Sequence, residues 1–335
     1  MYGVNLFDNE TVVDFMQPYS RRVLVVDRVV EPQVSQLCHL WDNTIAIDGG
    51  EGIKTRQSKE HIENQLIAYG CDKDTLLVAV GGGTVLDVAG FVAATYYRGI
   101  DVCYFPSTLL AMVDAAIGGK NGLNVGEVKN CIGTIYYPRF VGVDVAFLNT
   151  LPDGEMQNGC VEMAKHAILC DDVYRFDAAL SAILMRDTTI VLEQIEYSVR
   201  RKIVFLDIEI RDILNFGHTL GHAIEVLSGY TIPHGQAVAI GIIGESMLSH
   251  LSGYLPLSEY TTIESLIKRI GLPLKIPQKY PFNAWMEALL RDKKVKHHSP
   301  YFVLLERMGK PLKKKGRYCH AVDRRILQEV ISTIC

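Results

Sequence analysis

The sequence predicts an α/β domain built on a parallel sheet over residues 1–150, followed by an all-helical domain over residues 151–335. Three observations predict it. Short apolar runs alternate with helix-period segments up to about residue 150, the rhythm of helices wound over a parallel sheet. Beyond that point the apolar pattern runs at helical period over long stretches. Hydrophobic residues make up 48% of the 335, enough for a sizeable core in each part.

The elements follow in order. "RRVLVVD" and "NTIAID" read as strands, a helix is expected near 58–69, and "TLLVAVGGG" is a buried strand running into three glycines and a second helix. "VCYFP" is a further strand. From "LPDGEMQNGCVEMAKHAIL" onward the segments are helical, interrupted by "SGYTIPHG" and "IGLPLKIPQKYPF", where Pro and Gly set loops. A net charge of −4 argues against a nucleic-acid partner or an anionic membrane surface for the chain as a whole. The basic cluster "KPLKKKGR" reads as a solvated face. Eight cysteines without a C-x-x-C pair, and no run of about eighteen apolar residues, suggest a cytoplasmic protein with reduced thiols.

Chemistry-bearing residues fall in both parts. In the first, the glycine triplet containing Gly82 and Gly83 opens a helix, so backbone amides at its N-terminus can approach a pyrophosphate; the spacing is not G-x-G-x-x-G, and a tight turn would look the same. Asp27 ends a strand where it could accept from a ribose hydroxyl, and Glu51 and Lys54 follow the next strand on a loop. Ser107 and Thr108 follow "VCYFP", and Asp114 lies in an apolar helix, where a carboxylate is rarely buried without a partner or a task. Lys120, Lys129 and Asn130 sit on what reads as a Gly-rich loop suited to holding a phosphate.

In the second part, Arg211, Asn215, His218, His222 and Glu225 recur at steps of four, three, four and three, which on one helix is a single stripe. Its flanks are apolar, so the stripe is expected to face an internal cavity. His234 follows in "IPHGQAV", and Glu162 and Lys165 share a face of "GCVEMAKHAIL". Three nitrogen or oxygen ligands with an open position suit a catalytic zinc, but spacing alone does not say which histidines are ligands and which is a base.

"GGGTVLDVAGFVAATYYRG", "PSTLLAMVDAAIGGKNGLN", "KNCIG", "EMAKHAI", "LNFGHTLGHAIE" and "HGQAVAIG" resemble, in order, the motifs of 3-dehydroquinate synthases, and "DKKVK" with "YFVLL" is similar to their C-terminal motif. The resemblance spans about residues 20–310. It implies a nucleotide-binding α/β domain joined to a helical metal-binding domain, with NAD and a divalent metal (Zn²⁺ or Co²⁺) as cofactors, a sugar phosphate as substrate, and a homodimer. The implied reaction converts 3-deoxy-D-arabino-heptulosonate 7-phosphate to 3-dehydroquinate and phosphate in the shikimate pathway.

By the same resemblance, Glu162, His218 and His234 are the metal ligands and His222 handles protons and phosphate. Lys120, Lys129, Asn130 and a lysine of the DKK motif, Lys293 or Lys294, cradle phosphate and substrate. Arg98 reaches the partner's phosphate site, while Lys165, Arg211 and Asn215 hold hydroxyls and the carboxylate. Asp27, Glu51, Lys54, Gly82, Gly83, Asp87, Thr108, Asp114 and Thr150 serve the nucleotide, with Ser107 beside them. The segment between Lys202 and Arg211 is shorter than the family's usual connection, and the region before Glu51 is compact. Alternatives are another sugar-phosphate cyclase, of the 2-deoxy-scyllo-inosose or valiolone type, whose substrate lacks a carboxylate; a metal-dependent polyol dehydrogenase, which would accumulate NADH; and a non-catalytic paralogue.

Overall fold

Every residue from Thr75 to Gly81 is buried, and this strand lies inside the sheet that organises the first half of the chain. The computed structural model describes residues 4–6, 9–126, 128–207, 209–290 and 299–335. The chain divides between Leu151 and Pro152 into two compact units.

The first unit runs β1 (Val4–Leu6), α1 (Asn9–Met16), β2 (Arg21–Asp27), α2 (Glu31–Val34), β3 (Asn43–Ile47), α3 (Arg56–Ala68), β4 (Thr75–Gly81), α4 (Gly83–Thr95), β5 (Asp101–Pro106), β6 (Lys120–Val125), β7 (Val128–Ile135) and β8 (Phe140–Val143). Six strands form one parallel sheet in the order β1-β8-β5-β4-β2-β3. From β2 the chain steps outward to β3, then returns across β2 to β4 and builds in the other direction. β2 and β4 therefore flank the topological switch, the place where doubly wound sheets bind ligands at the carboxyl ends of their strands. Val26 pairs with Val80, so Asp27 and Gly81 end neighbouring strands at that point.

The segment expected to be a Lys-bearing loop is instead an antiparallel hairpin, with Lys120 opposite Ile135 and Val125 opposite Val128. Its closing end is pinned by Asn124, whose Oδ1 accepts the Asn130 N–H at 2.9 Å and whose own N–H donates to Lys54 O at 2.7 Å. Those bonds satisfy backbone groups that a mobile loop would leave to water.

The second unit runs α5 (Asp153–Leu169), α6 (Val173–Leu184), α7 (Thr188–Val204), α8 (His218–Leu227), α9 (His234–Leu251), α10 (Leu257–Ile270), α11 (Phe282–Leu290), β9 (Phe302–Val303), β10 (Leu305–Arg307), β11 (Lys310–Pro311), β12 (Cys319–His320) and α12 (Arg324–Ile334). It is helical, with two short antiparallel pairs, β9 with β12 and β10 with β11, added near its C-terminal end. "FVLL" is buried throughout, and the Leu305 N–H donates to Ser249 Oγ of α9 at 3.0 Å, which ties this extended stretch to the helices. Leu220, Ile224, Ile240, Trp285, Phe302 and Val330 belong to one buried core.

The polar stripe is not one helix. Arg211–Asn215 is a short 3₁₀ turn, Phe216 is extended (ψ 127°), Gly217 is left-handed (φ 78°), and α8 starts only at His218. A side chain at position 217 would strain that backbone and meet α9, since a Cβ there would lie only 2.5 Å from Ile242 Cγ1 and 3.0 Å from its nitrogen. The glycine thus both ends the 3₁₀ turn and lets α9 approach. His218, His222 and Glu225 remain together on α8.

Candidate metal centre and nucleotide site

Three helices of the second unit bring Glu162, His218 and His234 together. Glu162 lies in the buried stretch of α5, while the two histidines are the first residues of α8 and α9. Glu162 is fully buried. Its Oε2 faces the buried ammonium of Lys165, one turn on, and its Oε1 lies 3.4 Å from His218 Nε2 and 4.0 Å from His234 Nε2. One ligand atom from each of the three falls within 4.8 Å of the others.

These distances fit a cation. With bonds of ~2.0 Å, a tetrahedral zinc sets its ligand atoms ~3.3 Å apart. The protonation pattern points the same way. His218 Nδ1 lies 3.1 Å from Phe216 O, and a carbonyl can only accept, so Nδ1 carries the proton and Nε2 turns a lone pair toward Glu162. Burial, with Lys165, His222 and His234 adding positive potential, holds the His218 pKa well below its ordinary 6.5. A neutral imidazole lone pair facing a carboxylate oxygen is two acceptors without a proton between them. Glu162 Oε1 accepts no hydrogen bond from any described residue. A divalent ion would satisfy all three groups at once, and two nitrogens plus one oxygen with room for a further ligand is the donor set of a catalytic zinc or cobalt site.

Around this set, Glu225 is buried with Oε1 3.5 Å from His234 Nδ1, placed to orient that ring. His222 is adjacent, its ring centroid 5.4 Å from that of His218 and 6.3 Å from that of His234. Arg211 and Asn215 lie on the 3₁₀ turn before α8, half-buried, and the Asn215 amide donates to Asp212 O at 3.0 Å. Lys202 is buried on α7. Lys293 and Lys294 lie outside the described residues.

In the first unit a second polar cluster joins residues that are far apart in sequence. Lys54 is buried, and its Nζ donates to Asp87 Oδ2 at 2.6 Å and to Asn130 Oδ1 at 2.5 Å. Glu51 Oε1 accepts from Asn124 Nδ2 at 2.7 Å and lies 3.8 Å from Lys129 Nζ. The loop after β3, the helix α4 and the hairpin β6–β7 are thereby tied into one network. Gly82 caps α4 without a side-chain hydrogen bond, so the first amides of that helix stay available to an anion at the sheet's switch point. Asp27 Oδ1 accepts the Val29 N–H at 3.1 Å.

Ser107 is buried after β5, and Thr108 Oγ1 accepts the Ala111 N–H at 3.1 Å, starting the short helical turn that carries the half-buried Asp114. Lys120 is exposed at the head of β6. Thr150 is exposed and accepts from Gln33 Nε2 at 2.7 Å, and Arg98 is exposed in a tight turn with φ 62°.

Burial pushes the Asp87 carboxyl from its ordinary 3.8 up to about 6, against the pull of Lys54. The native carboxyl holds its proton more tightly than the unfolded chain does, so its contribution to stability falls as pH rises from 3.8 to about 6. Denaturant melts across that window should show a stability difference between wild type and Asp87→Asn that changes with pH in this direction. A difference independent of pH would show that Asp87 titrates normally.

Sequence reading missed Glu245, a buried carboxylate of α9 that accepts amides at the start of α8. The signal was present: one acid inside "AVAIGIIGESML" is as anomalous as Asp114 in its own apolar helix. Gly241, opposite Gly217, was also passed over.

Comparison with known proteins identifies the family. Residues 44–158 match the family described as 3-dehydroquinate synthase N-terminal, and residues 159–295 match 3-dehydroquinate synthase C-terminal. The chain is 38% identical over 313 residues to a 3-dehydroquinate synthase of Pyrococcus abyssi, covering 90% of each protein. Among solved structures it is similar to a 2-deoxy-scyllo-inosose synthase complexed with carbaglucose-6-phosphate, NAD⁺ and Co²⁺, at TM-score 0.88 and 25% identity, covering 98% of this chain and 96% of that one. A 2-epi-5-epi-valiolone synthase from Streptomyces hygroscopicus subsp. jinggangensis with NAD⁺ and Zn²⁺ bound shares the fold at TM-score 0.87 and 24% identity, covering 100% of this chain and 96% of that one. With both family regions matched in order and a relative 38% identical along most of its length, the chain belongs to the 3-dehydroquinate synthase family.

Proposed function

We propose that this protein converts 3-deoxy-D-arabino-heptulosonate 7-phosphate to 3-dehydroquinate and phosphate, using NAD and a divalent metal, Zn²⁺ or Co²⁺. The observation that carries the reading is the buried Glu162–His218–His234 set beside Lys165, in a chain of this family. When bound, the metal supplies Lewis acidity toward substrate hydroxyls, and NAD supplies a hydride acceptor that is regenerated within the cycle.

The remaining roles belong to the chain's own side chains. Glu162, His218 and His234 hold the metal, and Lys165 keeps Glu162 Oε2 occupied so that Oε1 turns to the histidines. His222, beside both histidines, moves protons at its ring nitrogens. Arg211 binds the substrate carboxylate through its planar fork, with Asn215 nearby. In the first unit, Lys120, Lys129 and Asn130 bind phosphate, while Asp27, Glu51, Lys54, Asp87, Thr108, Asp114, Thr150 and the Gly82–Gly83 turn serve the nucleotide. Lys120 and Lys129 would stabilise the charge that develops on the phosphate as it leaves.

The protein is proposed to act in the cytoplasm as a homodimer, with the exposed Arg98 contributing to the partner's phosphate site. No described helix is long and apolar enough to cross a membrane. A related-cyclase activity is the weaker reading, since the 25% identity to the 2-deoxy-scyllo-inosose synthase compares with 38% to the Pyrococcus abyssi enzyme.

Incubating the protein with the heptulosonate phosphate, NAD⁺ and Zn²⁺ should yield phosphate and dehydroquinate in equal amounts over many turnovers, with no net rise in NADH absorbance. Stoichiometric NADH would move the chain to the polyol dehydrogenases. Turnover of a carboxylate-free sugar phosphate in preference to the heptulosonate would make it a related cyclase.

A further inference from the structure

The first turn of any helix leaves amides without intrahelical partners, and α8 begins behind Gly217, which has no side chain to cap it. The cap comes from another helix. Glu245 of α9 is fully buried; its Oε2 accepts the Gly217 N–H at 2.9 Å, and its Oε1 accepts the Thr219 N–H at 3.0 Å and the Leu220 N–H at 3.2 Å. His218 lies between two of the residues so held. Two further bonds lie beside it: His218 Nδ1 to Phe216 O, and the neighbouring Thr219 Oγ1 donating to Tyr301 O at 3.1 Å.

Glu245 follows His234 by eleven residues, about three helical turns, so both lie on nearly the same stripe of α9. One helix therefore carries His234 at its start and, along the same face, the carboxylate that grips the turn bearing His218. We propose that Glu245 is a positioning residue for the metal centre: by clamping the amides on both sides of His218 onto α9, it fixes the His218 ring relative to His234 and thereby sets the affinity and geometry of the bound divalent ion. This inference rests on the reading of Glu162, His218 and His234 as the ligand set. Without the clamp, three buried N–H groups at the start of α8 lose their acceptor, and the residue displaced by the resulting fraying is His218.

Co²⁺ titration of the metal-stripped full-length protein, followed by its visible d–d absorption and by competition with a chromophoric chelator, tests this without relying on turnover. Glu245→Gln offers one acceptor oxygen where the carboxylate has two, and it presents an NH₂ to an amide. It is expected to bind Co²⁺ about 10–100-fold more weakly and with an altered spectrum, the usual effect of losing a group that orients a ligand. Glu245→Asp, which keeps the charge with shorter reach, should recover part of both. Leu180→Ala, which opens a cavity on α6, serves as a control for general destabilisation and should keep the wild-type spectrum and affinity.

If wild type binds no Co²⁺, the ligand-set reading itself is wrong. If wild type binds but Glu245→Gln binds with the same affinity and spectrum, or Leu180→Ala loses as much, the ligand set stands and the positioning role is overturned. Should Glu245→Gln fail to fold, Glu245→Asp against Leu180→Ala decides by the same criteria.

Discussion

Stripping divalent ions from the protein with a chelator is expected to lower kcat/KM by about three orders of magnitude or more, the several kcal/mol that a Lewis acid contributes. The fold should persist. The second unit has its own core of Leu220, Ile224, Trp285, Phe302 and Val330, unlike a small domain that folds only around its metal. Circular dichroism should therefore change little while activity disappears, and adding Zn²⁺ or Co²⁺ should restore it. Within the site, His218→Ala should lower metal occupancy, because the Nε2 lone pair facing Glu162 is lost. His222→Ala should keep the metal and slow turnover. Metal analysis after gel filtration separates the cases: equal metal loss in both variants would break this division of labour, and full activity in the stripped protein would remove the metal from the mechanism.

Much of this architecture was legible because it rests on patterns of one or two periods. β2, β3, β4 and β5 are apolar runs between turn residues, and Arg21–Asp27 and Asn43–Ile47 coincide with the runs that named them. What pattern could not show was strand pairing in a half-exposed, polar segment. The hairpin β6–β7 is half-exposed and rich in Gly and Asn, so it reads as a loop until Asn124 is seen to pin it. The stripe from Arg211 to Glu225 satisfies helical spacing throughout, yet the 3₁₀ turn, the extended Phe216 and the left-handed Gly217 break it into two pieces. Spacing is blind to a backbone dihedral that is set by a neighbouring helix. For the same reason Lys54, Asp87 and Asn130 could be named as candidates from sequence, but not as one hydrogen-bonded network.

Gly241→Ala is expected to be the most damaging single-methyl change in the second unit. At Gly241 a Cβ would lie 1.9 Å from Gly217 O and 2.9 Å from Gly221 N. Both are backbone atoms of the segment that begins α8, so no side-chain rotation relieves the clash and the two helices must separate. Overpacking ordinarily costs about 1–3 kcal/mol, and a backbone-to-backbone clash belongs at or above the top of that range. For a unit of this size such a loss lowers Tm by roughly 10 °C. The same displacement moves His218 against His234, since each histidine opens one of the two helices being forced apart. Metal affinity should therefore fall together with Tm. Gly154→Ala is the matched comparison: it lies in the first turn of α5 with open space around it, and it should stay within ~0.5 kcal/mol of wild type with unchanged metal binding. If Gly241→Ala melts and binds metal like Gly154→Ala, close contact between α8 and α9 is not what brings the two histidines together.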